Sequence, residues 1–362
     1  MSEPNDYMKD IATVANEYWK RLTSNTDQLL IYGFVMLGFI TFLVLNHYLK
    51  ILKRKDINAK NIDNFFSDLE ENQICCQGLE QDGVVSMDDG NHNDFAQNYY
   101  IASSWNSCCG GSYNDDYVDV KPLEKILRKG IRFVDFEIYS INGQPIISAK
   151  SDGIKDESTH GWKGMYNHID FNDAMHVVKN NMGNDKGPLF LNFRIKTDNV
   201  GIYNTMHDSI IQNFKHKLLD SSFQKSTDRH LLGNRLLNTK LDELNNKIVI
   251  ICDADERAME NSGFKNLVNL TPNNTGVIAV KTRTEVRSTG SPSDNKEQGT
   301  KQFIVTHPDF TNVSSNNDFD VHWQYGFQMV AMNFGITDDK LISYLQRFNS
   351  NGSAFILKPE EL

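Results

Sequence analysis

The longest apolar run in the chain lies near its N-terminus. Residues 29–45 carry no charged side chain, and four further uncharged residues extend the run to residue 49. A helix of that length spans about 30 Å, the thickness of the hydrocarbon core of a bilayer. The run is apolar all round, whereas a helix that lies on a membrane surface has one apolar stripe. The sequence therefore predicts one transmembrane helix at 29–49, preceded by a short segment at 1–28.

The charges that flank this run predict its orientation. Five basic residues crowd the C-terminal flank between residues 50 and 60, and only three precede the run. Because basic flanks stay on the cytosolic side, we expect a single-pass membrane protein whose larger C-terminal part is cytosolic. The basic flank also predicts attraction to anionic lipid headgroups.

Residues 50–95 are first basic and then strongly acidic. Between residues 56 and 95, Lys60 is the one basic residue against ten acidic residues. Apolar clusters are few in this stretch, and such a composition is typical of a solvated connection. We therefore predict a juxtamembrane linker with at most one short helix.

From residue 96 to residue 362, short β-branched or aromatic runs alternate with helical patterns. The strand-like runs are 99–104, 131–139, 188–195, 246–254, 275–282, 301–307, 327–334 and 353–359. Helices are predicted after Asp119, which can cap a helix with Pro122 in its first turn, and over residues 172–180 and 203–219. This alternation predicts an α/β fold, most economically a (β/α)8 TIM-type barrel. The polar stretch at about 283–300 is predicted to be a mobile loop.

Charge and cysteine content exclude two classes of protein. The net charge is −10 and no basic face is evident, so the sequence does not favour a nucleic-acid partner. The five cysteines comprise two adjacent pairs and Cys252, and they have neither the spacing of a zinc site nor the pattern of a disulfide framework. We expect reduced thiols.

Two blocks of sequence resemble the X and Y halves of eukaryotic phosphoinositide-specific phospholipase C. The first block comprises YYIASSWNSCC (99–109) and LEKILRKGIRFVDFEIYSINGQPIIS (123–148), and the second comprises WQYGFQMVAMNFGIT (323–337) and RFNSNGSAFILKPEEL (347–362). The resemblance covers about residues 96–362. It implies a TIM-type barrel and a phosphoric diester hydrolase that acts on phosphatidylinositol-type lipids with the help of Ca²⁺.

Both histidines that the family uses for catalysis are replaced here. The first falls on Trp105, whose indole N–H can donate a hydrogen bond but cannot exchange a proton. Ungapped counting places the second on Ser151. The surrounding stretch is longer than in the family, so His160 or His168 could enter the site instead, and His160 is the candidate proton donor.

The family's calcium ligands are partly retained. Asn106, Asp135 and Glu137 match three ligand positions, and the two carboxylates point to one side of a strand because they alternate with Phe136. Arg194 stands where the family has a fourth, glutamate ligand. A cation there opposes metal binding, so Arg194 is expected to bridge Asp135 and Glu137 in place of the metal. Bound Ca²⁺ remains the alternative if the family mechanism is retained.

The positions that hold the phosphorylated headgroup in the family are also changed. Cys252 and Ala254 stand at the positions of a lysine pair, and Val305 stands at the position of an arginine. His307 replaces a stacking tyrosine and is the weak candidate for substrate binding. Recognition of a polyphosphorylated inositol is therefore not expected.

Three functional hypotheses follow. The leading one is a membrane-anchored phospholipase C-like barrel with an eroded, weak or inactive catalytic site, a pseudoenzyme that acts as a lipid-facing binding or structural module. The alternative is an active phosphodiesterase in which Arg194 replaces calcium and His160 or Asp135 handles protons. In the third, the barrel binds a protein partner, whose identity the sequence does not indicate.

Overall fold

The computed structural model describes residues 4–24, 26–71, 93–113, 115–150, 164–183, 187–224, 233–272, 276–288, 290, 299–309 and 315–359. The chain divides into two compact units, Met1–Arg54 and Lys55–Leu362. The helices are α1 (Pro4–Thr23), α2 (Thr26–Glu71), α3 (Val120–Arg128), α4 (Phe171–Asn181), α5 (Val200–Phe214), α6 (Gly233–Leu237), α7 (Glu256–Glu260), α8 (Arg283–Ser288), α9 (Phe319–Gln324) and α10 (Asp339–Asn351). The strands are β1 (Tyr99–Ile101), β2 (Ser103–Ser104), β3 (Phe133–Ile141), β4 (Gln144–Ser148), β5 (Ile169–Asp170), β6 (Leu189–Ile195), β7 (Ile248–Asp253), β8 (Ile278–Thr282), β9 (Phe303–His307), β10 (Met329–Met332) and β11 (Phe355–Leu357).

The first unit consists of α1 and the beginning of α2. The predicted transmembrane segment at 29–49 lies within α2, and its apolar side chains are exposed along the whole segment. Among the described residues, this is the helix whose length and mean hydropathy, 2.2 over its most apolar window, suit a membrane span. Length and composition therefore agree with the span predicted from the sequence.

The C-terminal part of α2 belongs to the second unit. Ile62, Phe65 and Phe66, spaced three and four residues apart, form an apolar stripe that is buried in the core of that unit. Two ion pairs flank the stripe: Lys125 Nζ lies 3.1 Å from Asp63, and Lys55 Nζ lies 3.3 Å from Asp119. The helix thus continues to Glu71 inside the stretch predicted to be a linker, because this stripe packs. Residues 72–92 of that stretch lie outside the described residues.

The second unit contains a mostly parallel sheet. In the described part of the chain, the parallel strands follow the order β8-β9-β10-β2-β3-β6-β7, and a further parallel bridge joins Ile251 of β7 to Leu270. The antiparallel strands β4 and β5 extend from β3. No pairing from Leu270 to β8 closes the ring within the described ranges. This is the mixed α/β arrangement that the alternating pattern predicts.

Two of the predicted barrel strands have a different role. The run at 99–104 is divided into β1 and β2, and only β2 joins the parallel sheet. The last run, β11, pairs with β1 as a separate antiparallel ribbon in which Tyr99 lies opposite Leu357. The position next to β7 in the parallel sheet is occupied by the bridge at Leu270, which lies in none of the predicted strand-like runs. A short apolar run indicates a strand but not its neighbour.

The predicted helices are present with shifted bounds. Asp119 accepts a hydrogen bond from the Lys121 backbone N–H at the start of α3, and the side chains of Leu123 and Leu127 are buried. The helix predicted at 172–180 is α4, and the one predicted at 203–219 is α5, which begins and ends earlier. The predicted loop at 283–300 begins as α8, and most of the remainder lies outside the described residues.

Candidate active site

Two neighbouring parallel strands carry the candidate site. Asp135 and Glu137 alternate along β3, and Arg194 lies on the adjacent strand β6. The register sets Glu137 beside Arg194 and Asp135 beside Asn192. Side chains two residues apart on a strand point to the same side, so the four polar groups meet on one side of the sheet. Asp135, Glu137 and Arg194 are all at most 5 % exposed.

Arg194 bridges the two carboxylates, as the sequence predicts. Its Nε and Nη2 donate to Asp135 at 3.0 Å and 2.9 Å, and its Nη1 donates to Glu137 at 3.1 Å. Its Nη2 also donates to the amide oxygen of Asn106 at 2.6 Å. Burial disfavours the charged guanidinium, but the two carboxylates outweigh that effect and raise the pKa of Arg194. A permanently charged arginine thus lies between the carboxylates.

Other donors occupy the remaining carboxylate oxygens. The side-chain amide of Asn192 donates to Asp135 at 2.7 Å, and the backbone N–H of Asn106 donates to the same carboxylate at 2.9 Å. Tyr139, the next inward residue of β3, donates its hydroxyl to Glu137 at 2.5 Å. Burial, followed by the negative charge of Glu137, raises the pKa of that hydroxyl, so it stays protonated and remains a donor.

The loop after β2 positions Asn106. Its backbone has φ 45°, in the left-handed region that asparagine tolerates better than most residues. Ser107 fixes this turn against β3, because its backbone N–H donates to the carbonyl of Asp135 at 2.9 Å and its hydroxyl accepts from the Asp135 N–H at 2.9 Å. The Asn106 amide oxygen therefore faces the guanidinium of Arg194.

Two stacked rings cover the ion-pair cluster. The Arg194 guanidinium lies 4.2 Å from the centre of the Trp105 ring, and Trp105 stacks on His307 with ring centres 4.0 Å apart and planes 5° apart. Trp105 is 1 % exposed and His307 is 4 % exposed. Burial is the main reason why the pKa of His307 falls to about 4, and its Nδ1 donates to the Pro308 carbonyl at 2.8 Å. The site is therefore closed by a neutral imidazole and an indole.

The sequence matches two family models over nearly the whole second unit. Residues 93–253 match the X domain of phosphatidylinositol-specific phospholipase C, and residues 253–361 match its Y domain. The chain belongs to the phosphatidylinositol-specific phospholipase C family.

Two solved structures support the same fold. The chain is similar to L. pealei PLC21 (21 % identity, TM-score 0.60) and S. officinalis PLC21 (21 % identity, TM-score 0.59). Each match covers 75 % of this chain and 38 % of the other, so this chain spans well under half of those proteins. A calcium-dependent phosphoinositol-specific phospholipase C from a Pseudomonas species matches with 10 % identity and a TM-score of 0.48, over 75 % of this chain and 97 % of that one. A search of curated proteins finds no match.

The family's calcium ion does not fit the side chains that meet here. Ca²⁺ requires six or more oxygen ligands, and the cluster offers the two carboxylates and the amide oxygen of Asn106. All three groups already accept hydrogen bonds from Arg194, whose positive charge occupies the space between them. In the described ranges, no group of three or more His, Cys, Asp or Glu side chains is arranged to hold a metal. With Arg194 in this position, no reaction step can be assigned to calcium.

The structure brings together six of the residues that the sequence singles out: Trp105, Asn106, Asp135, Glu137, Arg194 and His307. Ser151 and His160 lie outside the described residues, and His168 is exposed. Val305 and Cys252, which the resemblance aligns with basic residues of the family, are buried and apolar.

Sequence reasoning missed two members of the cluster, Asn192 and Tyr139. Both continue the alternation of known site residues, Asn192 two positions before Arg194 and Tyr139 two positions after Glu137. The period of two along a strand could have identified them.

Proposed function

We propose that this chain is a membrane-anchored member of the family whose barrel does not hydrolyse phosphoinositides and acts as a lipid-facing structural or binding module. One observation carries this proposal: the described site positions form a buried cluster in which two carboxylates are paired with an arginine of the chain itself. Arg194 holds Asp135 and Glu137, and Trp105 and His307 cover it. A substrate phosphate would have to displace both rings to reach the guanidinium.

The groups that remain are poor acids and bases for this reaction. An arginine keeps its proton, and Trp105 stands at the first histidine position without a ring nitrogen that could accept one. His307 is neutral above about pH 4, with Nδ1 held by Pro308. Loss of one general acid or base costs about 10²–10⁴-fold in rate. Loss of two, together with the metal, supports a barrel without turnover.

Membrane attachment is the second part of the proposal. The exposed apolar segment at 29–49 supports a single span, and the basic residues that follow it support a cytosolic barrel. The membrane and its phospholipid headgroups are then the partners nearest to the barrel. Because the family site is closed, any headgroup would be bound by the surface of the barrel rather than in that site.

A direct test is the release of inositol phosphate by the full chain reconstituted in vesicles that contain phosphatidylinositol. The assay is run with millimolar calcium and with chelator, beside an active family member as positive control. We expect no release above the protein-free vesicles in either condition. Turnover that requires calcium would show that Arg194 leaves the site and that the family mechanism operates.

The same assay tests the alternative that Arg194 replaces calcium as the cation on the phosphate. In that case turnover would survive chelator and be lost in Arg194→Met. Arg128→Met is the matched control, because Arg128 lies on the surface of α3 and pairs with Glu124 one turn away. Chelator-resistant turnover that Arg128→Met retains would overturn the proposal of a non-hydrolytic barrel.

A further inference from the structure

Helix α1 exposes large apolar side chains. Val14, Tyr18 and Trp19 are 61 %, 71 % and 65 % exposed, although side chains of this kind are usually buried in a folded unit. They lie within two turns of one another on a 20-residue helix. Such a concentration of exposed apolar surface indicates a face that contacts another phase or another molecule.

The sequence of α1 extends this face along the whole helix. At 100° per residue its apolar positions fall within a sector of about 160°, and its polar positions occupy the opposite side. The apolar positions are Tyr7, Met8, Ile11, Ala12, Val14, Ala15, Tyr18, Trp19 and Leu22. A stripe that wide on one side of a helix is typical of a helix that lies at the surface of a membrane.

The connection to α2 indicates what contacts the apolar face. Helix α1 ends at Thr23, α2 begins at Thr26, and the apolar segment begins at residue 29. A span that starts there holds the end of α1 within a few residues of the bilayer surface. Tyr18 and Trp19 are the two residue types that concentrate at that level of a membrane.

The charge of α1 indicates how it would bind. The helix carries three basic residues (Lys9, Lys20 and Arg21) and three acidic residues (Asp6, Asp10 and Glu17), so its net charge is zero. Attraction to anionic lipid therefore contributes little, and burial of the apolar stripe would provide the binding. Such a helix binds a zwitterionic membrane as well as an anionic one.

We infer that α1 is an interfacial helix that lies in the headgroup region of the membrane, with Val14, Tyr18 and Trp19 turned toward the acyl chains. This inference rests on the proposed membrane anchoring. It places α1 at the membrane surface where the span begins. The chain would then be fixed in the membrane by a span and by a helix at right angles to it.

Fluorescence quenching of Trp19 in the full chain tests this inference. The signal of Trp19 is obtained by subtracting the spectrum of Trp19→Phe from that of the wild type, both in vesicles of phosphatidylcholine. Lipids brominated near the top of the acyl chain should reduce this signal at least twofold, and aqueous iodide should reduce it little. Adding anionic lipid should leave both results unchanged.

A matched control places a tryptophan on the polar side of the same helix. Asn16→Trp in the Trp19→Phe background should be quenched by iodide and not by brominated lipid. If Trp19 behaves like this control while the chain resists extraction by carbonate, the inference about α1 fails and the anchoring stands. If Trp19 is shielded from both quenchers, a protein surface covers the helix and the inference also fails. Extraction of the chain by carbonate would overturn the anchoring itself.

Discussion

Two buried polar networks in the barrel use different chemistry. One surrounds Gln328, just before β10, where the side-chain oxygen accepts from the Ile304 N–H at 2.9 Å and the nitrogen donates to the Gly299 and Gln97 carbonyls at 2.6 Å and 2.9 Å. The other surrounds Arg194 and is built on ion pairs to Asp135 and Glu137. The first joins a neutral side chain to backbone groups of separate segments, whereas the second joins mainly charged side chains to one another.

The comparison distinguishes the contacts that stabilise the fold from the contacts that fill the candidate site. Gln328 lies in the block GFQMVAMNF, which matches the family pattern, and it satisfies backbone groups that the fold buries. Arg194, which the resemblance aligns with a glutamate of the family, pairs with two buried carboxylates. Backbone contacts such as those of Gln328 therefore hold the fold, while at the site a cation that belongs to the chain lies between Asn106, Asp135 and Glu137.

The largest expected effect comes from removing that cation. Arg194→Met leaves Asp135 and Glu137 buried without a counter-charge, and breaking a buried pair in this way costs about 3–5 kcal/mol. Denaturant unfolding of the full chain should show a loss of this size. Arg128→Met, which removes an exposed ion pair, should change stability by less than about 1 kcal/mol. Equal losses for the two variants would contradict a structural role for the Arg194 cluster.

A glutamate in place of Arg194 should create a calcium requirement. Arg194→Glu brings three carboxylates together, so the variant should unfold at a lower temperature than the wild type in chelator. Calcium at about 100 times its dissociation constant would return about 2.7 kcal/mol of stability. The wild type and Arg194→Met, which lack the third carboxylate, should not respond to calcium. A thermal shift series in calcium, with magnesium as control, measures this.

Substitutions in the network around Gln328 should lower the free energy of unfolding by a smaller amount. Gln328→Leu keeps the approximate volume but leaves the Ile304 N–H and the Gln97 carbonyl without their side-chain partner, at about 1–3 kcal/mol for a buried group, while the Gly299 carbonyl still accepts from Lys358 Nζ. Gln328→Glu keeps the acceptor but replaces the donor with a buried charge that faces carbonyls, so it should lose more stability than Gln328→Leu. Denaturant unfolding again gives the measurement, and calcium should change neither variant. If Gln328→Leu lost more stability than Arg194→Met, the expected order of the two networks would be wrong.

The sequence predicts the contacts within one strand or between adjacent strands better than those across the barrel. The pairing of Arg194 with Asp135 and Glu137 follows from alternation on a strand. The stack of Trp105 on His307 does not, because β10 lies between their strands and the two residues meet only when β2, β10 and β9 are in register. The sequence also does not predict that Phe66 packs in the core of the second unit, because the acidic residues around it indicate a solvated segment.

The smallest expected effect concerns His307, which belongs to the site but carries no charge. The pKa of His307 is about 4 in the fold and about 6.5 in the unfolded chain, so the unfolded chain binds more protons between these values. The contribution of the neutral His307 to the free energy of unfolding is therefore present above about pH 6.5 and is lost as the pH drops toward about 4. The loss is about 1 kcal/mol between about pH 6.5 and 5.5. His322, whose pKa is also lowered by burial to about 4, contributes in the same direction.

The variant His307→Phe isolates the share of His307, since a phenyl ring can keep the stack on Trp105. Its unfolding free energy should fall less steeply than that of the wild type over this window, while the two proteins differ little in slope above pH 7. Parallel slopes throughout would mean that the pKa of His307 is the same in the fold as in the unfolded chain, so that the folded imidazole becomes protonated below about pH 6.5. A positive imidazolium would then stack on Trp105 opposite Arg194. The ring that covers the site would be charged, whereas the lowered pKa of His307 makes it a neutral ring above the ion-pair cluster.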